Sequence, residues 1–139
     1  MTKKSAKLLN SIFKSHRYLL DDAAKATAVV DIRIPTDGIY TTSVFFNTDG
    51  EHLLFNDTDL SSVFANLKLN AQVRFTISNP KDVDDYIQFH GRVKITHEKA
   101  AEHAEALLGK YGPQIWFHSG NRVMFVLTPD RVALWPPQR

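Results

Sequence analysis

The chain has 139 residues, of which 43% are hydrophobic, a formal net charge of +2 and no cysteine. This length fits one domain with a proper core, so we expect a single domain over 1–139. The lack of cysteine excludes disulfides, a thiolate nucleophile and cysteine-based zinc sites. The chain has no apolar run of about 18 residues and no signal-peptide core, and its charge is too small for a dedicated nucleic-acid binder. We therefore expect a cytoplasmic protein with neither membrane nor nucleic-acid partners.

The first half of the chain predicts one helix and three strands. Apolar residues recur at helical spacing over 5–20, where Ser5 is a plausible N-cap. Turn residues fill Pro35–Gly38 and Thr48–Gly50, and the Asp-Gly pair in the second is typical of a hairpin. Apolar alternation and short apolar runs between these signals predict strands over 26–34, 39–47 and 51–55.

The second half predicts further strands and two helices. An acidic loop is expected over 79–85, and a long strand over 86–97 is expected to bulge at Gly91. Thr128–Asp130 is expected to form a turn that separates the last two strands. The remaining predicted elements are helices near 59–68 and over 98–109 and strands over 72–78, 121–127 and 131–135.

These elements favour a mainly β protein. The strands form hairpins at short spacing, and the helices are few, which indicates an antiparallel barrel or sheet with flanking helices rather than a doubly wound parallel sheet. A closed or half-open barrel would also protect its strand edges. No dinucleotide-binding glycine motif, phosphate-binding P-loop or zinc-protease motif is present.

The stretch Phe55–Asn79 combines a strand end, a polar turn, a short helix and a buried strand. A strand that leads into a helix N-terminus can hold an anion, because the first helical amides lack internal partners. Ser61 and Ser62 lie where a phosphate would be held. The alternative is a structural one, in which Thr58 or Asp59 caps the helix and the serines are solvated.

Other polar and aromatic residues favour structural roles. The six histidines show no ligand spacing with a carboxylate or with one another, so each is more consistent with a structural or surface position than with a metal ligand. The acidic loop lacks the glycine and distal glutamate of a calcium loop. The aromatic segment Tyr111–His118 is interpreted as core or dimer contact rather than as the wall of a ligand pocket.

Four segments together resemble the flavin-binding split barrels, the superfamily of pyridoxamine 5′-phosphate oxidases and their relatives. The segments are TDGIYTTSVFF, FNDTDLSSVFANLKLNAQV, YIQFHGRVKI and TPDRVALW, and the resemblance extends over roughly residues 6–135. It implies a six-stranded, Greek-key-like antiparallel split β-barrel that acts as a homodimer. It also implies a small-molecule ligand and a flavin cofactor, either flavin mononucleotide (FMN) or a deazaflavin.

The resemblance also implies roles for individual residues. The strand Thr41-Thr42-Ser43-Val44 would flank the edge of the isoalloxazine ring, chiefly through its backbone. Asn56 and Asp57 would lie by the ribityl chain, and Ser61 and Ser62 by the phosphate. Tyr86 and Trp135 would reach the ring across the dimer interface. No acid–base pair is implied, since a bound flavin carries the hydride chemistry itself.

Departures from the family pattern leave other functions open. Ser62-Val63 stands where the family has an Arg-Lys pair that neutralises the flavin phosphate. The chain also lacks the family's Arg-Leu-His substrate-binding tail, so a true pyridoxamine phosphate oxidase is not expected. The first interpretation is a flavin- or deazaflavin-dependent oxidoreductase. The alternatives are a cofactor-less or haem-binding split barrel and an unrelated β-barrel binding protein.

Overall fold

A computed structural model describes Leu9, residues 14–112 and residues 119–136. The predicted helix over 5–20 falls partly outside these residues. Its described part is the short helix α1, which leads into a 3-10 turn over Tyr18–Leu20. The helices are α1 Lys14–Arg17, α2 Ser62–Leu69 and α3 Ala100–Tyr111. The strands are β1 Ala28–Ile34, β2 Gly38–Val44, β3 Phe46–Thr48, β4 Leu53–Thr58, β5 Gln72–Asn79, β6 Asp82–Thr96 and β7 Arg122–Trp135.

The seven strands form one antiparallel sheet in the order β2-β1-β5-β6-β7-β4-β3. Its two edge strands, β2 and β3, are consecutive in the chain and are separated only by Phe45. Val44 pairs with Ala28 at one edge, and Phe46 pairs with Phe55 at the other. The sheet must therefore curl until the end of β2 reaches the start of β3, which makes it a half-barrel. The predicted six-stranded antiparallel architecture is confirmed, because β2 and β3 are two parts of the single strand predicted over 39–47.

The core lies inside this curl and is built on aromatic rings. Five fully buried phenylalanines come from five different strands, namely Phe46, Phe55, Phe75, Phe89 and Phe125. The Phe75 ring packs edge-on against Phe46 at a centroid distance of 5.5 Å and in a tilted arrangement against Phe55 at 5.6 Å. Tilted and edge-on ring pairs of this kind stabilise a core beyond the area that they bury.

Three predicted boundaries are wrong. The turn expected at Thr128–Asp130 is part of the continuous strand β7. The acidic loop expected over 79–85 is only a tight turn, because β6 begins at Asp82. Residues 56–58, expected in a turn, complete β4 because they pair with β7. In all three places the local turn signal is overridden by pairing with a neighbouring strand.

The bulge predicted at Gly91 is confirmed. His90 pairs with Arg131 and Gly91 pairs with Pro129, so Asp130 is an extra residue on β7. A Cβ on Gly91 would overlap the carbonyl oxygen of Thr128 and lie 2.9 Å from the Pro129 Cα. Glycine is therefore required where the two longest strands come closest, and the bulge there bends β7.

Helix α3 is attached to the barrel seam, where β3 meets the segment before β1. The Tyr111 hydroxyl contacts the carbonyl oxygens of Ala26 and Phe46, and Lys110 Nζ donates to the Phe46 carbonyl at 2.8 Å. Burial lowers the pKa of Lys110, an effect that Asp22 at 3.7 Å opposes. Among the described helices, none has the length and apolar character that crossing a bilayer requires.

Candidate functional site

The residues predicted to contact a flavin fall into two groups. The first lies on β2, at the end of β4 and at the start of α2. The second lies at the far end of β6 and β7, three and four strands from β2, although β4 pairs directly with the first half of β7. At about 4.8 Å per strand, β6 is roughly 14 Å from β2 when the distance is measured along the sheet. The first group is Thr41, Thr42, Ser43, Val44, Asn56, Asp57, Ser61 and Ser62, and the second is Tyr86 and Trp135.

Ser61 caps helix α2. Its Oγ accepts a hydrogen bond from the Phe64 amide at 3.2 Å and donates to the Thr58 carbonyl at 2.8 Å, and the side chain is buried. The predicted structural alternative named Thr58 or Asp59 as the cap, and this is wrong in detail. The Thr58 hydroxyl donates to the Ser119 carbonyl, and Asp59 accepts hydrogen bonds from Asn121. Ser62 is exposed, so it is the one serine of the pair with a solvated side chain.

We expect Ser61→Ala to lower the free energy of unfolding by about 1 kcal/mol, because the cap of α2 is lost and the Phe64 amide loses its partner. Chemical denaturation measures this change. Ser62→Ala is the matched control, since it removes a neighbouring exposed hydroxyl, and it should leave stability within about 0.5 kcal/mol of the original. Equal losses in both variants would contradict the assignment of Ser61 as the cap.

Asn56 points toward helix α3, where it belongs to a buried polar cluster. Its Nδ2 donates to the Ala100 carbonyl at 2.9 Å and lies 3.1 Å from His103 Nδ1. His103 Nε2 lies 2.8 Å from Asn47 Oδ1, so the neutral ring donates through Nε2 and accepts through Nδ1. Burial lowers the pKa of His103 to about 4. The cluster joins β3, β4 and α3 and engages the Asn56 amide nitrogen, whereas the buried Asn56 Oδ1 has no hydrogen-bond partner among the described residues.

Tyr86 and Trp135 are partners across β6 and β7. The Trp135 side chain is 49% exposed, an unusual position for a large aromatic group. Next to this pair, buried His16 lies 3.0 Å from the Trp135 carbonyl and 3.1 Å from Asp85 Oδ1 through its Nε2. The Tyr18 hydroxyl also donates to Asp85, at 2.9 Å. These contacts dock the segment around α1 beside the exposed indole.

Strand β2 presents its residues to two sides. Thr42 and Val44 pair with the buried residues Val30 and Ala28 and point toward the barrel interior, whereas Thr41 and Ser43 are exposed. We call the exposed side of β2, β1, β5, β6 and the second half of β7 the outer face. Within the described sheet β2 pairs only with β1, so backbone groups along its other edge are available to a ligand.

A groove crosses the middle of the outer face. Its volume is about 380 Å³, and residues from β1, β2, β5, β6 and β7 line it together with the turn before β5. No sequence motif predicts this groove, because its charged residues come from strands far apart in the chain and come together only through strand register. We call it the cationic groove, defined by Asp31, Arg33, Ile39, Asn70, Gln72, Val73, Arg74, His90 and Arg131.

A second cavity, of about 350 Å³, lies between α3 and the outer side of β4 and β7. Leu54, Met124 and Val126 give it an apolar floor, and His103 borders it. In the described ranges, no three histidine, aspartate or glutamate side chains are grouped closely enough to hold a metal ion.

Solved structures with a similar fold are numerous. An F420 reductase superposes with a TM-score of 0.74 at 20% sequence identity, over 88% of this chain and 98% of that one. A protein from Listeria innocua named after pyridoxamine 5′-phosphate oxidase gives a TM-score of 0.65 at 12% identity, over 84% and 92% of the two chains. An FAD-binding protein from Mesorhizobium loti gives 0.59 at 14% identity, over 78% and 82%.

Sequence comparison adds nothing further. No protein-family model matches the chain, and no curated protein sequence matches it. At identities of 12 to 20% the likeness is one of fold. The chain thus has the split-barrel fold expected from its four segments, and its function must be argued from its own residues.

Proposed function

We propose that this chain binds a flavin or a deazaflavin and acts as an oxidoreductase on a small molecule. The observation that carries the proposal is the composition of the outer face. Thr41 and Ser43 stand on an edge strand at one side of it, and the exposed Trp135 stands beside Tyr86 at the other. The names of the similar structures, which include an F420 reductase and an FAD-binding protein, support the same cofactor class.

The residues present suit a flat heteroaromatic ring with polar edges. The free edge of β2 offers backbone N–H and C=O groups, which match the alternating donors and acceptors of a flavin pyrimidine. The exposed indole of Trp135 offers an aromatic surface for stacking. A bound flavin would supply hydride transfer, and the chain's own groups would orient the ring and limit access of water.

A homodimer is part of the proposal. Strands β1 and β5 separate the edge of β2 from the Tyr86–Trp135 pair, roughly 14 Å along the sheet, so we expect that the two do not contact the same ring within one chain. A second copy could bring its Trp135 to the first copy's β2 strand. Size-exclusion chromatography with light scattering measures the oligomeric state. A protein that stays monomeric at flavin concentrations that saturate its binding site would contradict a site shared between two copies.

Equilibrium titration with FMN and with F420, followed by cofactor fluorescence, tests the proposal. We expect saturable binding of one of the two, and Trp135→Leu should weaken it about three- to tenfold by removing a stacked ring. Leu108→Ala is the control, because Leu108 is 44% exposed on α3, away from the outer face. No binding of either cofactor would overturn the proposal, and equal effects of both substitutions would remove Trp135 from the site.

One observation favours a second candidate, a split barrel that binds a different ligand or none. The start of α2 offers no cation to a flavin phosphate, because Ser62 and Val63 replace the family's Arg-Lys pair and the Ser61 hydroxyl is engaged in capping. Under this candidate, neither flavin binds, and haem is the alternative to test by its absorption.

Ser62→Arg probes the start of α2 directly. Ser62 is exposed, so an arginine there can reach solvent, whereas Val63 is buried and a lysine there would carry its charge into the core. If the phosphate of FMN lies at α2, the substitution should tighten FMN about tenfold through a charge-assisted hydrogen bond and leave riboflavin unchanged. Unchanged FMN affinity would place the phosphate elsewhere. Leu69→Arg is the control, because it adds the same charge at the exposed last residue of α2.

A further inference from the structure

The cationic groove combines charge, shape and position in a way that neither folding nor the predicted flavin contacts require. Strand register places Thr41, Asp31, Arg74, His90 and Arg131 in a single row across five adjacent strands. All five side chains belong to the outer face, since each alternates with a core residue on its strand. The four members of the row other than Thr41 line the groove.

The groove carries an excess of positive charge. Three arginines and one aspartate line it, which gives a formal charge of +2 with His90 neutral. Asp31 is already satisfied, because its Oδ1 accepts from Thr41 Oγ1 at 2.7 Å and its Oδ2 accepts from Arg74 Nε and Nη2, both at 2.9 Å. Asp31 therefore fixes the Arg74 guanidinium and has little capacity left for other cations.

Arg33 and Arg131 form no ion pair with any residue in the part of the chain that the structure describes. Both are exposed residues of the outer face. A guanidinium has five N–H donors in a planar fork that matches phosphate and carboxylate oxygens. Two such groups beside a third that is fixed in place provide converging donors without a protein acceptor to use them.

The other lining residues give the groove its form. Asn70 Nδ2 donates to the Arg33 carbonyl at 3.0 Å, and its Oδ1 accepts from the Gln72 amide at 3.0 Å, so Asn70 is held in the groove wall. Burial, followed by the charges of Arg131 and Arg74, lowers the pKa of His90. The Ile39 side chain, 56% exposed, adds an apolar wall.

We propose that the cationic groove binds the phosphate-type anionic group of a small ligand, with Arg131, Arg33 and Arg74 as donors. The site deepens the proposed function and depends on it only for the identity of that ligand. Arg131 and Trp135 lie on the same face of β7, four residues or roughly 13 Å apart. One ligand with a ring at one end and an anion at the other could extend between them. The anionic group belongs either to the cofactor or to a second, anionic substrate.

Titration with inorganic pyrophosphate at constant ionic strength tests the site without any flavin. Wild-type protein should bind it saturably, and Arg131→Gln should weaken that binding about tenfold or more, since a charge-assisted pair is lost. Lys94→Gln is the matched control. It removes one positive charge from an exposed position of β6 outside the groove and should change the dissociation constant less than twofold. Equal weakening by both variants, or no saturable binding, would overturn the proposal.

Two flavins distinguish the sources of the anion. If the group is the cofactor's phosphate, Arg131→Gln weakens FMN and leaves riboflavin, which lacks the phosphate, unchanged. If it belongs to a substrate, both flavins keep their affinity in this variant while pyrophosphate binding is lost. Pyrophosphate binding that depends on Arg131, in a protein that binds neither flavin nor F420, would uphold the groove and refute the proposed cofactor. Circular dichroism confirms that the exposed substitution leaves the fold intact.

Discussion

Gly91→Ala should lower the free energy of unfolding by about 3 kcal/mol or more, and the variant is expected to be largely insoluble at 37 °C. The added Cβ would overlap the Thr128 carbonyl oxygen and press on the Pro129 Cα. Both are backbone atoms of β7, so no side-chain rotation can relieve the overlap. The two longest strands would have to separate at the bulge on which the bend of the barrel depends.

Gly109→Ala is the matched control for this prediction. Gly109 lies within helix α3, and a Cβ there would meet no atom within 4 Å. Replacing it should stabilise the protein by about 0.5–1 kcal/mol, because alanine is the better helix former. Urea denaturation of both variants decides the matter. A Gly91→Ala protein as stable as the wild type would show that β6 and β7 are not as close at the bulge as the structure has them.

Acid should destabilise the protein through His103 by up to about 3 kcal/mol. The pKa of His103 is about 4 in the folded state and 6.5 ordinarily, and each pKa unit corresponds to about 1.4 kcal/mol. Between these values the unfolded chain binds the extra proton and the folded one does not, so stability falls as pH decreases from 6.5 to 4. A second proton on the ring would sit on Nδ1, facing the Asn56 Nδ2 donor.

His103→Gln isolates this contribution. Glutamine does not titrate. The loss of unfolding free energy between pH 6.5 and pH 4 should therefore be smaller in the variant than in the wild type by up to about 3 kcal/mol. His97→Gln, at an exposed position, is the control for replacing a histidine by glutamine. The same pH slope in wild type and His103→Gln would show that the buried cluster does not hold a neutral imidazole.

Much of the fold is predictable because its strands carry local apolar alternation. The strand predicted over 72–78 and the bulge at Gly91 need little more than that pattern and a glycine. Thr128-Pro129-Asp130 shows the limit of this approach. The tripeptide has the composition of a turn, yet β7 continues through it, because Gly91 on the partner strand leaves room for the extra residue.

The candidate site was predictable only in part, for a related reason. Alternation along β2 places Thr41 and Ser43 on one side of their strand, but nothing near Asn56 in the chain reveals that His103 faces it. The cationic groove depends on register between strands up to about 100 residues apart, as Asp31 and Arg131 are. Arg131 is exposed and His90 is half-buried, and each alternates with core residues along its strand. That pattern alone is a weak signal of a binding site, and it becomes specific only when the strand order brings the two residues together.

The absorption spectrum of the protein as purified from cells, with mass spectrometry of what heat releases, tests the central claim most directly. We expect a flavin or deazaflavin band and the corresponding cofactor in the supernatant, in near-equal amount to the protein. A spectrum of protein alone, which also stays unchanged after incubation with excess FMN, riboflavin and F420, would contradict the proposed function. A haem band would retain the split-barrel fold and replace the cofactor.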